Sequence, residues 1–277
     1  MVRILMPLIG ESFRIGKQGS RSRGGIESIP LQKLASYSHL RFIKYMKAVK
    51  NIDIDVVFIS YKETDEELNA LEMWYSDYLV NKIYYDSKCS TEEELYKKAG
   101  DFLKSIAVSE KYDYIFLMRF DFYIKLHFQN VLFKINPEKV IYCFPDLNGY
   151  INTTCWKYIG HNCMIIPNKF FNYITNGSLW TKKHESIHYL ISVEGNNSYE
   201  ILVNTPHYSS SCLGYNPFYT MVGRVDYHKY DIESDKNKDI HMHSYKYDTN
   251  IYDNIINTDT LGENLAKHSF SSSLLYR

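Results

Sequence analysis

Neither sign of charge is in excess: 32 Lys and Arg residues are matched by 32 Asp and Glu. That balance argues against a general nucleic-acid binder, which needs a basic surplus to displace counterions from phosphate, so any anion site has to be local. Paired cysteines are missing as well. Cys89, Cys143, Cys155, Cys163 and Cys212 are scattered with no CxxC, which indicates neither a zinc site nor a disulfide framework and predicts reduced, mostly buried thiols. No apolar run approaches the length of a membrane span, and Met1–Pro7 is too short in its apolar part for a signal peptide, so the expectation is a soluble, cytoplasmic protein. Sequons at Asn152, Asn176 and Asn196 carry little weight in an Asn-rich chain without a secretory signal. Neither GxxxxGK[ST] nor GxGxxG into a helix is spelled anywhere, and Ser209, Ser210, Ser211 and Cys212 near His207 do not form a GxSxG elbow. P-loop hydrolysis, dinucleotide binding and a catalytic triad are therefore unsupported.

What is present is an alternation of β-like and helical patterns. Val2 to Leu8 reads as a first strand, followed by a loop through Gly10, Gly16, Gly19, Gly24 and Gly25 that also carries Arg14, Lys17, Arg21 and Arg23. Leu31 to Val49 has helical apolar spacing, Ile54 to Ser60 is a β-branched run, Asp65 to Leu79 reads as a helix and Lys82 to Tyr85 as a short strand. Ser90 to Glu94 resembles a capped acidic helix start leading to Val108, and Tyr112 to Arg119 is the next strand. This order predicts an α/β fold: a mainly parallel sheet flanked by helices with right-handed crossovers. The second half is more irregular, with strands at Val140 to Phe144, Asn162 to Ile166 and Ile201 to Val203, and helices at Lys169 to Thr175 and His184 to Val193. No repeat or long low-complexity linker divides the chain. It reads as one domain over 1–277, with a nucleotide-binding half, 1–125, and an acceptor-binding half, 126–277.

The strongest chemical signal is the run Tyr112 to Tyr123, an apolar strand that ends in Arg119 and Asp121. Burying either charge unpaired is costly, so one reading opens the strand into a polar cleft where Asp121 meets a cation or ligand. The other is an internal Arg119/Asp121 ion pair between residues of equal strand parity. A lone carboxylate at a strand exit suits a hard divalent cation, Mn2+ or Mg2+, that keeps several waters and bridges substrate phosphates. A nucleotide diphosphate donor needs that arrangement, because charge builds on the leaving oxygens when the bond to the diphosphate breaks. Arg14, near the end of the first strand, is the better candidate in its loop for a diphosphate contact. His241 and His243, two apart in a polar segment, are candidate metal ligands or phosphate contacts. Glu185, at an expected helix start, is a candidate general base towards an acceptor hydroxyl. Asp146 with Asp121 imitates the paired carboxylates of a glycoside hydrolase, at a separation that sequence does not decide. Tyr150, Trp156, Trp180 and Tyr215 are candidates for stacking on a sugar.

These landmarks, taken in order, resemble the GT-A type nucleotide-sugar glycosyltransferases, particularly short soluble enzymes of large DNA viruses, such as chlorovirus capsid-glycan enzymes, and of bacterial surface-glycan clusters. The residues that carry the resemblance are Gly10-Glu11-Ser12-Phe13-Arg14, Met118-Arg119-Phe120-Asp121, the apolar Asn162 to Pro167, His184-Glu185, and Asn216-Pro217-Phe218-Tyr219 with Gly223-Arg224. The resemblance implies a GT-A-like, Rossmann-related fold. It implies sugar transfer from a nucleotide diphosphate, a UDP-sugar favoured and UDP-xylose one candidate, to a hydroxyl of a glycan or glycoprotein, with inversion and metal assistance. In the family's DxD position stands Arg119-Phe120-Asp121, so only Asp121 carries over. Glu185 resembles the helix-start acid, His241 or His243 the late metal-ligating histidine, and Arg224 joins Arg14, Arg119 and Asp121 as a donor contact. A viral member would act in the host cytoplasm. Two other classes stand beside this one: a sulfotransferase-like enzyme using the basic loop without metal, and a non-catalytic carbohydrate-binding or virion surface protein with a Tyr-rich recognition face.

Overall fold

The computed structural model describes residues 1–13, 28–86, 92–124, 135–143, 163–174, 190, 192–195, 197–201 and 219–221. They belong to two compact units that interleave along the sequence, one of Met1–Ser12, Ile54–Phe120 and Lys134–Gly214, the other of Phe13–Asp53, Asp121–Phe133 and Tyr215–Arg277.

The first unit is built on a seven-stranded sheet. Its strands are β1 (Val2–Ile9), β2 (Ile52–Tyr61, the first two residues of which fall in the other unit), β3 (Leu79–Tyr85), β4 (Tyr114–Arg119), β6 (Val140–Tyr142), β7 (Cys163–Pro167) and β8 (Tyr199–Ile201), in the order β3-β2-β1-β4-β7-β6-β8. β1 pairs parallel with β4, β2 with β3 and β6 with β8, while β7 runs antiparallel to both of its neighbours, so the sheet is mixed but mostly parallel. Every residue of β4 is buried, as expected of a central strand covered on both faces. One face packs on α3 (Glu92–Ser109), whose Leu95, Tyr96, Ala99, Leu103 and Ile106 join Leu5, Ile9, Val57, Ile59, Ile115 and Leu117 in one apolar cluster. Residues of opposite parity, among them Phe58 and Phe116, are buried on the other face. There Phe58 meets Tyr75 edge-on at 5.1 Å and Phe120 at 5.3 Å.

Several boundaries differ from the sequence reading. The helix expected over Asp65 to Leu79 is α2, Asp65–Trp74, opened by a Thr64/Glu67 capping box and closed where the Tyr75 amide bonds back to Leu71. Burial of Tyr75 against Phe58 turns the chain, which releases Leu79 to begin β3 three residues before the expected strand start. The helix expected over Lys169 to Thr175 is a 3-10 turn, Asn168–Tyr173. It follows Pro167 with no side-chain cap and is anchored by buried Phe170 and Phe171, and at six residues it is longer than most helices of this tight kind. β8 begins at Tyr199, two residues before the strand expected from Ile201. Of the helix expected over His184 to Val193, Leu190, Ser192 and Val193 are described, and they are helical.

The second unit contains α1 (Ser28–Lys50) and a two-stranded antiparallel ribbon of β5 (Phe122–Ile124) and β9 (Tyr219–Met221), with Tyr123 opposite Thr220. These three-residue strands carry no sequence signal of their own. Among the described residues no helix is long and apolar enough to cross a membrane. Cys143 and Cys163 are buried free thiols, and the other three cysteines lie outside the described residues.

Candidate functional site

The strand order marks a candidate site in the first unit. The chain moves outward from β1 through β2 to β3, then returns to the other side of β1 with β4. In open α/β sheets such a reversal leaves a crevice outside the carboxyl ends of the two strands, where ligands bind. Here those ends carry Ile9 and Arg119, which are register partners, and Arg119 is only 7% exposed. At the β1 exit Gly10 has a φ of 115°, a conformation that a side chain disfavours, and its amide donates to Ile59 O at 3.1 Å. Ser60 Oγ donates to Gly10 O at 2.8 Å and lies 3.4 Å from Ser12 Oγ. Two buried hydroxyls thus line the turn that follows β1.

β4 stops at Arg119, and Phe120 and Asp121 form a turn. The expected parity argument for an Arg119/Asp121 pair therefore does not apply, because it required both residues on one strand. Asp121 is 2% exposed and sits immediately before β5 in the second unit. Three neighbouring side chains of α1 hold β5. His39 Nε2 lies 2.5 Å from Phe122 O, Ile124 N donates to Ser38 Oγ at 2.9 Å, and Arg41 donates from a terminal guanidinium nitrogen to Ile124 O at 2.6 Å. Arg41 also lies over the Tyr123 ring, 5.8 Å from its centroid. Burial drives the His39 pKa down to about 4, against the bond to Phe122 and the nearby Asp121, both of which favour the cation. His39 is therefore neutral at neutral pH, and because a carbonyl only accepts, its proton sits on Nε2.

Of the anticipated site residues, the structure describes Arg119 and Asp121, both buried at or just beyond the exit of the central strand. Arg14, Glu185, Arg224, His241 and His243 lie outside the described residues, as do Asp146, Tyr150, Trp156, Trp180, Tyr215 and the serines near His207. Among the described residues no three His, Cys, Asp or Glu side chains cluster as a metal site. Sequence reasoning missed Ser38, His39 and Arg41. In an amphipathic reading of α1 they belong to the polar face, but every residue from Ala35 to Ile43 is buried. The available signal was the density of polar groups in a helix this apolar: buried polar side chains need partners, and these find the backbone of β5.

No family model matches the sequence, and no curated protein matches it. Solved structures similar to it include a glycosyltransferase involved in glycosylation of the major capsid of PBCV-1, at 7% identity and TM-score 0.39, with 73% of this chain and 82% of that one covered. The bifunctional glycosyltransferase WbbM is similar at 10% identity and TM-score 0.40, over 68% of this chain and 36% of that one. The glycosyltransferase GlyE of Streptococcus pneumoniae is similar at 11% identity and TM-score 0.34, over 72% of this chain and 41% of that one.

Proposed function

We propose that the protein is a glycosyltransferase that takes a sugar from a nucleotide diphosphate and moves it to a hydroxyl of a glycan or glycoprotein. The observation that carries this reading is the reversal of strand order between β1 and β4, with Arg119 buried at its carboxyl edge and Asp121 two residues further along the chain. A buried guanidinium there provides paired N–H donors for a diphosphate, with a geometry suited to phosphate oxygens. The Gly10 turn and the Ser12 and Ser60 hydroxyls add small polar groups at the exit of the neighbouring strand β1.

Asp121 fits a hard divalent cation of the manganese or magnesium type, since one buried carboxylate is enough for an ion held otherwise by phosphate oxygens and water. Such a cation, when bound, offsets the charge that gathers on the departing nucleoside diphosphate. The chain's own contribution is then to bind and orient: Arg119 takes the diphosphate, with Arg14 and Arg224 as further donor contacts and His241 or His243 as a further ligand. Glu185 accepts the proton of the attacking hydroxyl as that oxygen bonds to the anomeric carbon and the bond to the diphosphate breaks, an inverting displacement. A UDP-sugar is the favoured donor and UDP-xylose one candidate.

The test is a thermal-shift panel of UDP, GDP, UDP-xylose, UDP-galactose, UDP-glucose and GDP-fucose with and without manganese, because a ligand selective for the folded state raises its stability by mass action. The expected result is a manganese-dependent rise with one nucleotide that Asp121→Ala abolishes while remaining folded. No rise with any nucleotide overturns the assignment, and full turnover by Asp121→Ala removes the metal role given to that residue.

A further inference from the structure

The hydrogen bonds from α1 to β5 follow a pattern. In a strand the N–H and C=O of residues i and i+2 leave by the same edge, and those of i+1 by the other. The groups taken by α1 are Phe122 O, Ile124 N and Ile124 O, all on one edge. Tyr123 is left to face the other edge, where β9 lies with Thr220 opposite. β5 is thus held as a middle strand is held, by β9 on one side and by three helix side chains standing in for a third strand on the other. A two-stranded ribbon of three residues each is at best marginal alone, so these bonds, together with the burial of all three β5 residues, hold it in place. Ser38 serves both roles, because its hydroxyl donates to Ala35 O within the helix at 2.8 Å while accepting from Ile124. The residue immediately before the clamped strand is Asp121.

We propose that His39, Ser38 and Arg41 are positioning residues for Asp121: by hydrogen-bonding the second edge of β5 they fix the backbone that carries this carboxylate, and so set its affinity for a divalent cation bound with nucleotide. The inference rests on the function proposed above and adds to it the element that supports the cation ligand. His39 is the most direct of the three, because it grips the carbonyl of Phe122, the residue next to Asp121. A positioning role differs from a merely structural one in what it moves. Loss of the clamp reduces the gain in UDP affinity that manganese confers, and leaves the metal-free affinity for UDP near its starting value.

The experiment is titration calorimetry of UDP with and without saturating manganese, on wild type, Asp121→Asn, His39→Leu and His39→Gln, alongside amide hydrogen exchange at Ile124. For folded His39→Leu, the manganese-dependent gain is expected to shrink tenfold or more and exchange at Ile124 to accelerate. His39→Gln, whose side-chain amide can donate to Phe122 O, restores most of both. A folded His39→Leu that keeps the full gain overturns the positioning role while leaving the glycosyltransferase reading intact. Wild type with no manganese-dependent UDP binding overturns the metal-assisted UDP site, and Asp121→Asn equal to wild type overturns the role of Asp121; either result takes the positioning role with it. If His39→Leu does not fold, Ser38→Ala removes one bond of the clamp with a smaller volume change and is read by the same two measurements.

Discussion

His39 is a histidine that folding keeps neutral, and that has a consequence for stability. Its pKa falls from 6.5 to about 4 because burial disfavours the imidazolium. Between those values the unfolded chain binds a proton that the folded one refuses, so stability rises with pH across this window and is lost as pH falls from 6.5 towards 4. The gap corresponds to roughly 3 kcal/mol. Urea midpoints measured from pH 7 to pH 4 are expected to fall for wild type and to fall less steeply for His39→Gln; parallel curves would show that another group sets the acid limb. The burial of Arg41 beside it has a similar logic, since a guanidinium removed from water must be given carbonyl and ring partners, and Ile124 O and Tyr123 provide them.

At the level of elements, the two ends of the sheet do different work. The carboxyl ends of β1 and β4 carry the candidate site, while the amino ends are tied by a polar network. Arg3 pairs with Asp55 at 3.1 Å, Tyr112 Oη donates to Asp55 at 2.7 Å, and the Arg3 guanidinium lies 4.6 Å from the Tyr112 ring centroid. The Arg3 amide also donates to the Asp113 carboxylate at 2.8 Å, joining the start of β1 to the approach to β4. Tyr112 is pushed well above the usual tyrosine range by burial and by Asp55, so its phenol remains a donor throughout the working pH range. Tyr112→Phe removes one hydrogen bond to a charged acceptor and is expected to cost about 1 kcal/mol in chemical denaturation. Because the network lies at the far end of the strands from Arg119, the nucleotide-induced thermal shift is expected to be unchanged; a lost shift would mean that the two ends are coupled.

For the molecule as a whole, stability rests heavily on the face of the sheet covered by α3. Leu103 is completely buried in that cluster and its truncation leaves a hole that rigid strands do not close. Leu103→Ala is expected to lose roughly 3 kcal/mol, seen as a lower urea midpoint with an unchanged slope. A loss below about 1 kcal/mol would show that the cluster relaxes into the space. The chain enters and leaves the sheet unit more than once, with α1 and β5 in the other unit. Asp121 therefore begins a further segment of the other unit just beyond the end of the fully buried β4.

The order of β1, α1, β2, α2, β3, α3 and β4 was legible in the sequence because each is long enough for its periodicity to show, and burial on both faces made β4 a continuous apolar run ending in Arg119. Asp121 stood out for the same reason, as a charge where an apolar run should have continued. The antiparallel course of β7, the early end of α2 at Tyr75 and the strands β5 and β9 were decided by tertiary packing, since three to five residues carry no period and a tyrosine ends a helix only when something waits to cover it. The clamp belongs to the same class. Ser38, His39 and Arg41 look in sequence like the wet face of an amphipathic helix, and only the fold brings the edge of β5 to them, where each exchanges water for one hydrogen bond to its backbone.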